Sequence, residues 1–301
     1  MELGAAPRVE RRYEWLGIGA LLLTAAFWSL NGPLIKLLNA QGQGLGGLEI
    51  AFYRSAFGAV LFSPFLWKHR RSLRGAMRLW QLGSVGAFTL MTVSFVVATV
   101  QTAAANAIIL QYTAPLWVVG LSPWLLQEHV RRTELLVLGL AMVGVGVIFL
   151  GNPVTDRLGL TIALISGFGY GMLQITLRGL RSVPPTFVVG ANCVGSALLL
   201  APAVGLWGSF RMNGYQLSLM LLMGVVQFAV PYALYSWAVQ YVQAARASLI
   251  VLLETLLNPL WTYLAVGERV PPATLRGGTL ILLAVGSWMV LHWRYERKEV
   301  Q

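Results

Sequence analysis

Charged side chains set inside long apolar runs are where this chain could do chemistry. Glu254 lies within residues 244–266 and Arg54 within 48–66, stretches that are otherwise mostly apolar. An ionised group at membrane depth is costly unless it faces water or a partner. Glu254 is therefore a candidate to exchange a proton or to receive a cationic group of a solute; the plainer alternative is a neutral or arginine-paired glutamate that fixes helix packing. Arg54 presents five N–H donors in a fork that suits a carboxylate or several carbonyls. It fits an anionic solute group, a pair with Glu49 or Glu254, or a structural tie between helices. Lys36 and Arg178 stand near the ends of apolar runs, where long cationic stems snorkel to the interface.

Asn31, Gln111, Tyr112, Gln174, Asn192, Gln227 and Asn258 are uncharged polar groups at similar depths. Each must bond across helices, which is worth roughly 0.6–2 kcal/mol, or line a cavity. Trp28, Tyr112, Tyr170, Tyr232, Tyr235, Trp237 and Trp261 add aromatic faces on which a cation or planar ring can rest, although packing and interfacial belts use the same residues. Trp67, Trp80 and Trp293, near the run ends, read as belt residues. The expected solute-binding set is Trp28, Asn31, Gln111, Tyr112, Tyr170, Gln174, Gln227, Tyr232, Trp237, Glu254, Asn258 and Trp261, with Glu254 and Arg54 carrying the charge. Pro33, Pro115, Pro231 and Pro259 interrupt otherwise long helices and free carbonyls that need new partners. They are hinge candidates, or else static kinks.

The elements that must position these residues are membrane helices. Of 301 residues, 57% are hydrophobic and 11% charged, against about 45–50% and roughly 25% in soluble domains. A 30 Å hydrocarbon core needs about 20 apolar residues per crossing. Runs of that kind fall at 15–38, 48–66, 79–100, 104–126, 133–150, 158–178, 185–206, 216–240, 244–266 and 272–293. Ten crossings leave both termini on one side. Residues 1–14 are polar and basic, but the following run exceeds twenty residues without a small-residue cleavage site, so it reads as a first membrane helix and not a secretory signal.

The formal net charge of +11 serves orientation. With a cytoplasmic N-terminus, 16 of the 22 Lys and Arg residues fall on cytoplasmic segments: Arg8, Arg11 and Arg12, the cluster from Lys68 to Arg78, Arg131 and Arg132, Arg178 and Arg181, Arg246, and Arg294, Arg297 and Lys298. Lys36, Arg157, Arg211, Arg269 and Arg276 lie near the other side. This alternation supports the helix count and both termini being cytoplasmic, and scattered clusters of this kind exclude a nucleic-acid face. Cys193 is the only cysteine, which excludes an intramolecular disulfide and any cysteine-based zinc or iron–sulfur site.

The chain also repeats itself. Shifted by 140 positions, Ala98, Ala104, Ala105, Ala107, Glu128 and Val130 meet Ala238, Ala244, Ala245, Ala247, Glu268 and Val270 without a gap. With small shifts, Trp28 and Lys36 meet Tyr170 and Arg178, and Arg54 and Pro64 meet Asn192 and Pro202. Five helices per half make the second copy enter from the opposite side, an inverted-topology repeat of the kind that houses a midplane substrate site. The organisation is a cytoplasmic segment 1–14, a five-helix repeat 15–150, a second 158–293 and a cytoplasmic tail 294–301. Gly167-Phe-Gly-Tyr-Gly171 carries a small-xxx-small spacing for close helix packing and no phosphate-loop signature.

Phe27-Trp-Ser-Leu-Asn-Gly-Pro-Leu-Ile-Lys36, Phe52-Tyr-Arg54, the alanine-rich openings of the fourth and ninth runs, and Leu126-Gln-Glu-His-Val130 with Val266-Gly-Glu-Arg-Val270 together resemble the EamA-like family of the drug/metabolite transporter superfamily over nearly the whole chain. The resemblance implies an all-α bundle of ten helices, cytoplasmic termini, a central cavity between the halves, and export or exchange of small metabolites, often amino acids or related compounds. The chain departs from an even repeat at Thr255, which stands where the first copy has Pro115, with proline following at Pro259. The halves are therefore expected to kink differently.

The leading reading is a secondary transporter working by alternating access in a bacterial or archaeal inner membrane. Its partners are the bilayer and a small solute, with protons as a candidate coupling ion; monomer and homodimer both fit. Nothing calls for a cofactor or metal. A channel or ligand sensor built on the same bundle is the alternative. An intramembrane enzyme is disfavoured: His69, His129 and His292 fall at run ends, and there is no His-Glu-x-x-His and no paired aspartates inside a run.

Overall fold

The computed structural model describes residues 6–39, 44–69, 77–125, 132–238, 241–242, 247 and 250–299. Glu128, His129, Val130, Ala244 and Ala245 lie outside them, as do Arg70, Arg71, Arg74, Arg131 and Arg246 of the charge pattern; the side chains of 6–12 and 291–299 are likewise outside. Backbone groups in hydrocarbon must be satisfied within their own segment, and among the described residues the chain is helical apart from turns and short connectors, with no strand.

The helices are α1 (Ala6–Trp28), α2 (Asn31–Asn39), α3 (Gly47–Lys68), α4 (Met77–Gln101), α5 (Ala104–Gln111), α6 (Ala114–Leu125), α7 (Arg132–Gly151), α8 (Arg157–Gly179), α9 (Pro185–Trp207), α10 (Gly214–Leu222), α11 (Val230–Ala238), α12 (Glu254–Val266) and α13 (Pro272–Glu299). Seven stretches among the described residues are long and apolar enough to cross a membrane: Tyr13–Asn39, Gly47–Lys68, Met77–Gln101, Ala104–Leu121, Val154–Gly179, Pro185–Trp207 and Gly214–Tyr235. The fifth expected crossing contains a shorter apolar helix, Gly139–Gly151. Trp15, Val60, Leu150 and Leu206 are among many large apolar side chains left exposed. In water they would be a liability; in a multi-pass membrane protein they face the solvent they suit.

The helix pairs show how two similar halves assemble. α3 packs on α9 and α7 on α13, each pair being the same helix of the two halves. α4 on α8 is answered by α1 on α11, and α6 on α8 by α2 on α12. Exchanging the halves turns each of these pairs into another of them or into itself, as an approximate two-fold requires. Gly167 and Gly171 let α8 approach α5 and α6 closely, since an added Cβ would lie 2.7 Å from the Leu110 carbonyl oxygen or 2.9 Å from that of Ala114.

Several crossings are broken at mid-depth. α1 stops at Trp28 and α2 resumes at Asn31; α5 stops at Gln111 and α6 resumes at Ala114. α12 begins after a turn at Leu252 and Leu253, 140 positions beyond the turn at Tyr112 and Thr113. The hydrogen bonds match as well. Thr113 and Leu116 donate N–H to the carbonyls of Leu110 and Thr113, and Leu253 and Leu256 to those of Ile250 and Leu253, all three residues back. Both breaks thus contain a short 3₁₀ tightening, while Pro259 inside α12 stands where the first half has Val119. Proline does not dictate the break: Pro115 occupies the first turn of α6, where its missing N–H costs nothing. At the matching position Thr255 caps the open turn, its Oγ1 donating to the Leu252 carbonyl at 2.7 Å. Pro33 falls in the first turn of α2, and Pro259 lies inside α12. Pro231 follows a π-helical segment, Met223–Ala229, which absorbs the bond that the proline cannot make.

Candidate functional site

The breaks converge on one cavity of about 70 Å³. Trp28 closes α1 and Asn31 opens α2; Gln111 closes α5 and Tyr112 sits in the turn; Glu254 opens α12. All five line the cavity, with Arg54 from α3, Met91, Thr92 and Phe95 from α4, Tyr170 from α8, Gln227 from the π segment and Tyr232 from α11. Helix breaks leave N–H and C=O groups without intrahelical partners, so polar side chains gather where the backbone also offers hydrogen bonds. The volume is well below the roughly 300 Å³ of a small-molecule pocket.

The charges come from opposite halves. Arg54 is 8% exposed, donates from Nη1 to Asn31 Oδ1 at 3.2 Å, and lies 5.3 Å from the centroid of the Phe228 ring, within cation–π range. Its Nε is buried with no hydrogen-bond partner among the described residues. Glu254, also 8% exposed, accepts from the Tyr112 hydroxyl at 3.0 Å. Tyr112 lies within 3.5 Å of the Val251 carbonyl oxygen as well, next to the second break. The charges form no ion pair with each other, nor does Glu49 pair with Arg54, among the described residues. Arg54 and Glu254 thus share the cavity without a direct bond between them.

Aromatic rings form one wall. Tyr232 stacks tilted on Phe228 at 4.8 Å and edge-on to Trp28 at 5.2 Å; Tyr235 packs on Trp28 at 5.5 Å. Tyr112 meets Tyr170 edge-on at 6.3 Å. Gln111 donates to Ser166 Oγ at 2.9 Å, and Ser166 donates to the Met91 carbonyl at 3.1 Å. Gln227 makes a long 3.5 Å contact with the Trp28 carbonyl, while its own carbonyl oxygen is unpartnered.

Four expected residues lie off the cavity. Trp237 packs on Tyr241 at 5.1 Å and with the α1–α11 cluster around Leu21. Gln174 is one turn beyond Tyr170, outside the lining. Asn258 and Trp261 follow along α12, outside the lining; Asn258 is fully buried against Gly32 of α2 with both amide atoms unpartnered among the described residues, as is the buried Trp261 indole N–H. Asn192 is a helix tie: it donates to Ser84 at 2.9 Å and accepts from Gln81 at 2.8 Å. Lys36 reaches a partner at the end of its helix. Its Nζ is 2.6 Å from Glu268 Oε2 and donates to the Thr102 carbonyl at 2.9 Å. Met91, Thr92 and Phe95 were not expected; an apolar helix with one threonine per turn or two offers no chemical signal, and only its position against α8 and α5 brings that face to the cavity.

The comparisons with known proteins agree with this architecture. A profile of the EamA-like transporter family matches residues 15–150 and 157–289, two copies in one chain. An uncharacterized transporter of Archaeoglobus fulgidus is 30% identical over 88% of this chain and 94% of its own. An uncharacterized transporter of Clostridium kluyveri is 22% identical over 89% and 90%. A protein of Rickettsia felis named S-adenosylmethionine uptake transporter is 22% identical over 89% and 90%. One solved crystal structure superposes with a TM-score of 0.59 at 17% identity over 93% of this chain and 98% of that one, a likeness of fold. With two family repeats around one polar cavity, this chain belongs to the EamA-like transporter family.

Proposed function

We propose that the protein is a secondary transporter that exports or exchanges small zwitterionic metabolites, amino acids and their derivatives foremost, by alternating access of the central cavity. Ten crossings in two inverted repeats, with both termini cytoplasmic, complete the architecture of the proposal. The observation that carries it is the pair of separate charges: Arg54 of the first half suits a carboxylate, Glu254 of the second suits an ammonium or sulfonium, and the rings of Trp28, Tyr170 and Tyr232 suit an apolar or planar remainder. S-adenosylmethionine, the solute in the Rickettsia relative's name, combines these three features and belongs among the compounds tested.

The test is counterflow in proteoliposomes loaded with amino acids, amines, nucleobases and S-adenosylmethionine. Saturable exchange restricted to solutes carrying both charges is the expected result. Flux that rises linearly with concentration would establish a channel instead, and exchange confined to uncharged nucleobases would overturn the assigned class.

A further inference from the structure

We propose that solute leaves the cavity along the seam between α2 and α12, and that the Lys36–Glu268 ion pair is the latch closing this route. The proposal deepens the transport reading and rests on it. The two half-helices start at the cavity, with Asn31 and Glu254 as first residues, and run together to the end where Lys36 meets Glu268.

The seam carries a buried polar side chain that, unlike the Asn192 tie, bonds to nothing across it among the described residues. Glu254, Asn258 and Thr262 recur at intervals of four and so share one face of α12. Asn258 is fully buried against Gly32, with neither amide atom partnered. Buried amides are almost always hydrogen-bonded, and a standing interface gains nothing from one that is not. In a route that opens, the same atoms meet water or the solute's polar groups. Closure depends on Gly32: an added Cβ would lie 2.5 Å from Asn258 Oδ1 and 2.8 Å from Thr262 Oγ1.

The latch ties three elements at the far end of the seam. Lys36 of α2 pairs with Glu268, in the connector between α12 and α13, and donates to the Thr102 carbonyl; Glu268 Oε1 accepts from the Ala104 N–H at the start of α5, at 2.7 Å. The Lys36 and Glu268 side chains are 18% and 23% exposed. Water reaches them, and a partly hydrated pair opens at far lower cost than a dry one.

Cys193 is the only cysteine and is buried, so a Cys193→Ser background with Thr262→Cys reports on the seam. A membrane-impermeant maleimide is applied from the side that carries Glu268. With the latch intact, modification is expected to be slow. Lys36→Met and Glu268→Gln should each accelerate it at least tenfold, Gly32→Ala should do so with the latch residues intact, and Lys36→Arg should stay within threefold of the parent. Equal rates across the set would overturn the latch. Slow modification in every variant during normal counterflow would remove the route while leaving the transport reading standing. Accelerated modification with no exchange of any solute would keep the route and remove the transport reading.

Discussion

The turn at Tyr112–Thr113 and the turn at Leu252–Leu253 share a hydrogen-bonding pattern and differ in chemistry. Each is a 3₁₀ tightening that opens a helix at mid-depth, with matching three-residue hydrogen bonds. The first presents Tyr112 to the cavity and is followed by Pro115; the second presents Glu254, with Thr255 where the proline would be. The two then join, Tyr112 Oη donating to Glu254 Oε2 at 3.0 Å. Duplication has kept the device that exposes backbone groups to the cavity and divided the side-chain roles, donor in one half and acid in the other. A two-fold arrangement thereby acquires a polar, asymmetric centre, which suits a solute whose own ends differ.

The largest effect should come from the acid. Glu254→Gln keeps the shape and removes the charge, and counterflow should fall more than tenfold with its pH dependence flattened; unchanged exchange with an unchanged pH profile would make the residue structural. Tyr112→Phe breaks the link between the two turns. Losing a hydrogen bond to a charged acceptor, worth about 1.5–3 kcal/mol, should raise the half-saturation concentration roughly tenfold or more while the protein remains monodisperse in detergent. Thr255→Val removes the hydroxyl that caps the second turn, at a cost of about 1 kcal/mol, read as a lower thermal unfolding midpoint with exchange retained. Pro115→Ala should matter least, changing exchange by under about twofold, because a first-turn proline supplies no bond that alanine cannot; a collapse of activity would show that proline creates the first break after all.

Much of this was legible in the residues. Glu254 and Arg54 stand out because charge inside an apolar run needs a reason, and the 140-residue offset carries the two-half design. The second break was not legible, because proline marks only the first and the hydroxyl of Thr255 does its work locally. Asn258 and Trp261 were assigned to the cavity by depth alone; the orientation of α12 takes them one and two turns beyond it. Lys36 reads as a snorkelling residue because its partner, Glu268, is 232 positions away (268 − 36) and only the fold brings them within 2.6 Å. The α4 face at Met91, Thr92 and Phe95 is chemically silent in the sequence, and packing alone decides which side of an apolar helix turns inward.

We propose that one cavity, charged by both halves, holds a zwitterionic solute. The most direct test is counterflow of the best amino-acid solute against two analogues, one lacking the ammonium and one with the carboxylate amidated, in parent protein and in Arg54→Gln and Glu254→Gln. The parent is expected to reject both analogues, Arg54→Gln to lose its preference for the carboxylate and Glu254→Gln its preference for the ammonium. Equal exchange of all three compounds by the parent would contradict the proposal.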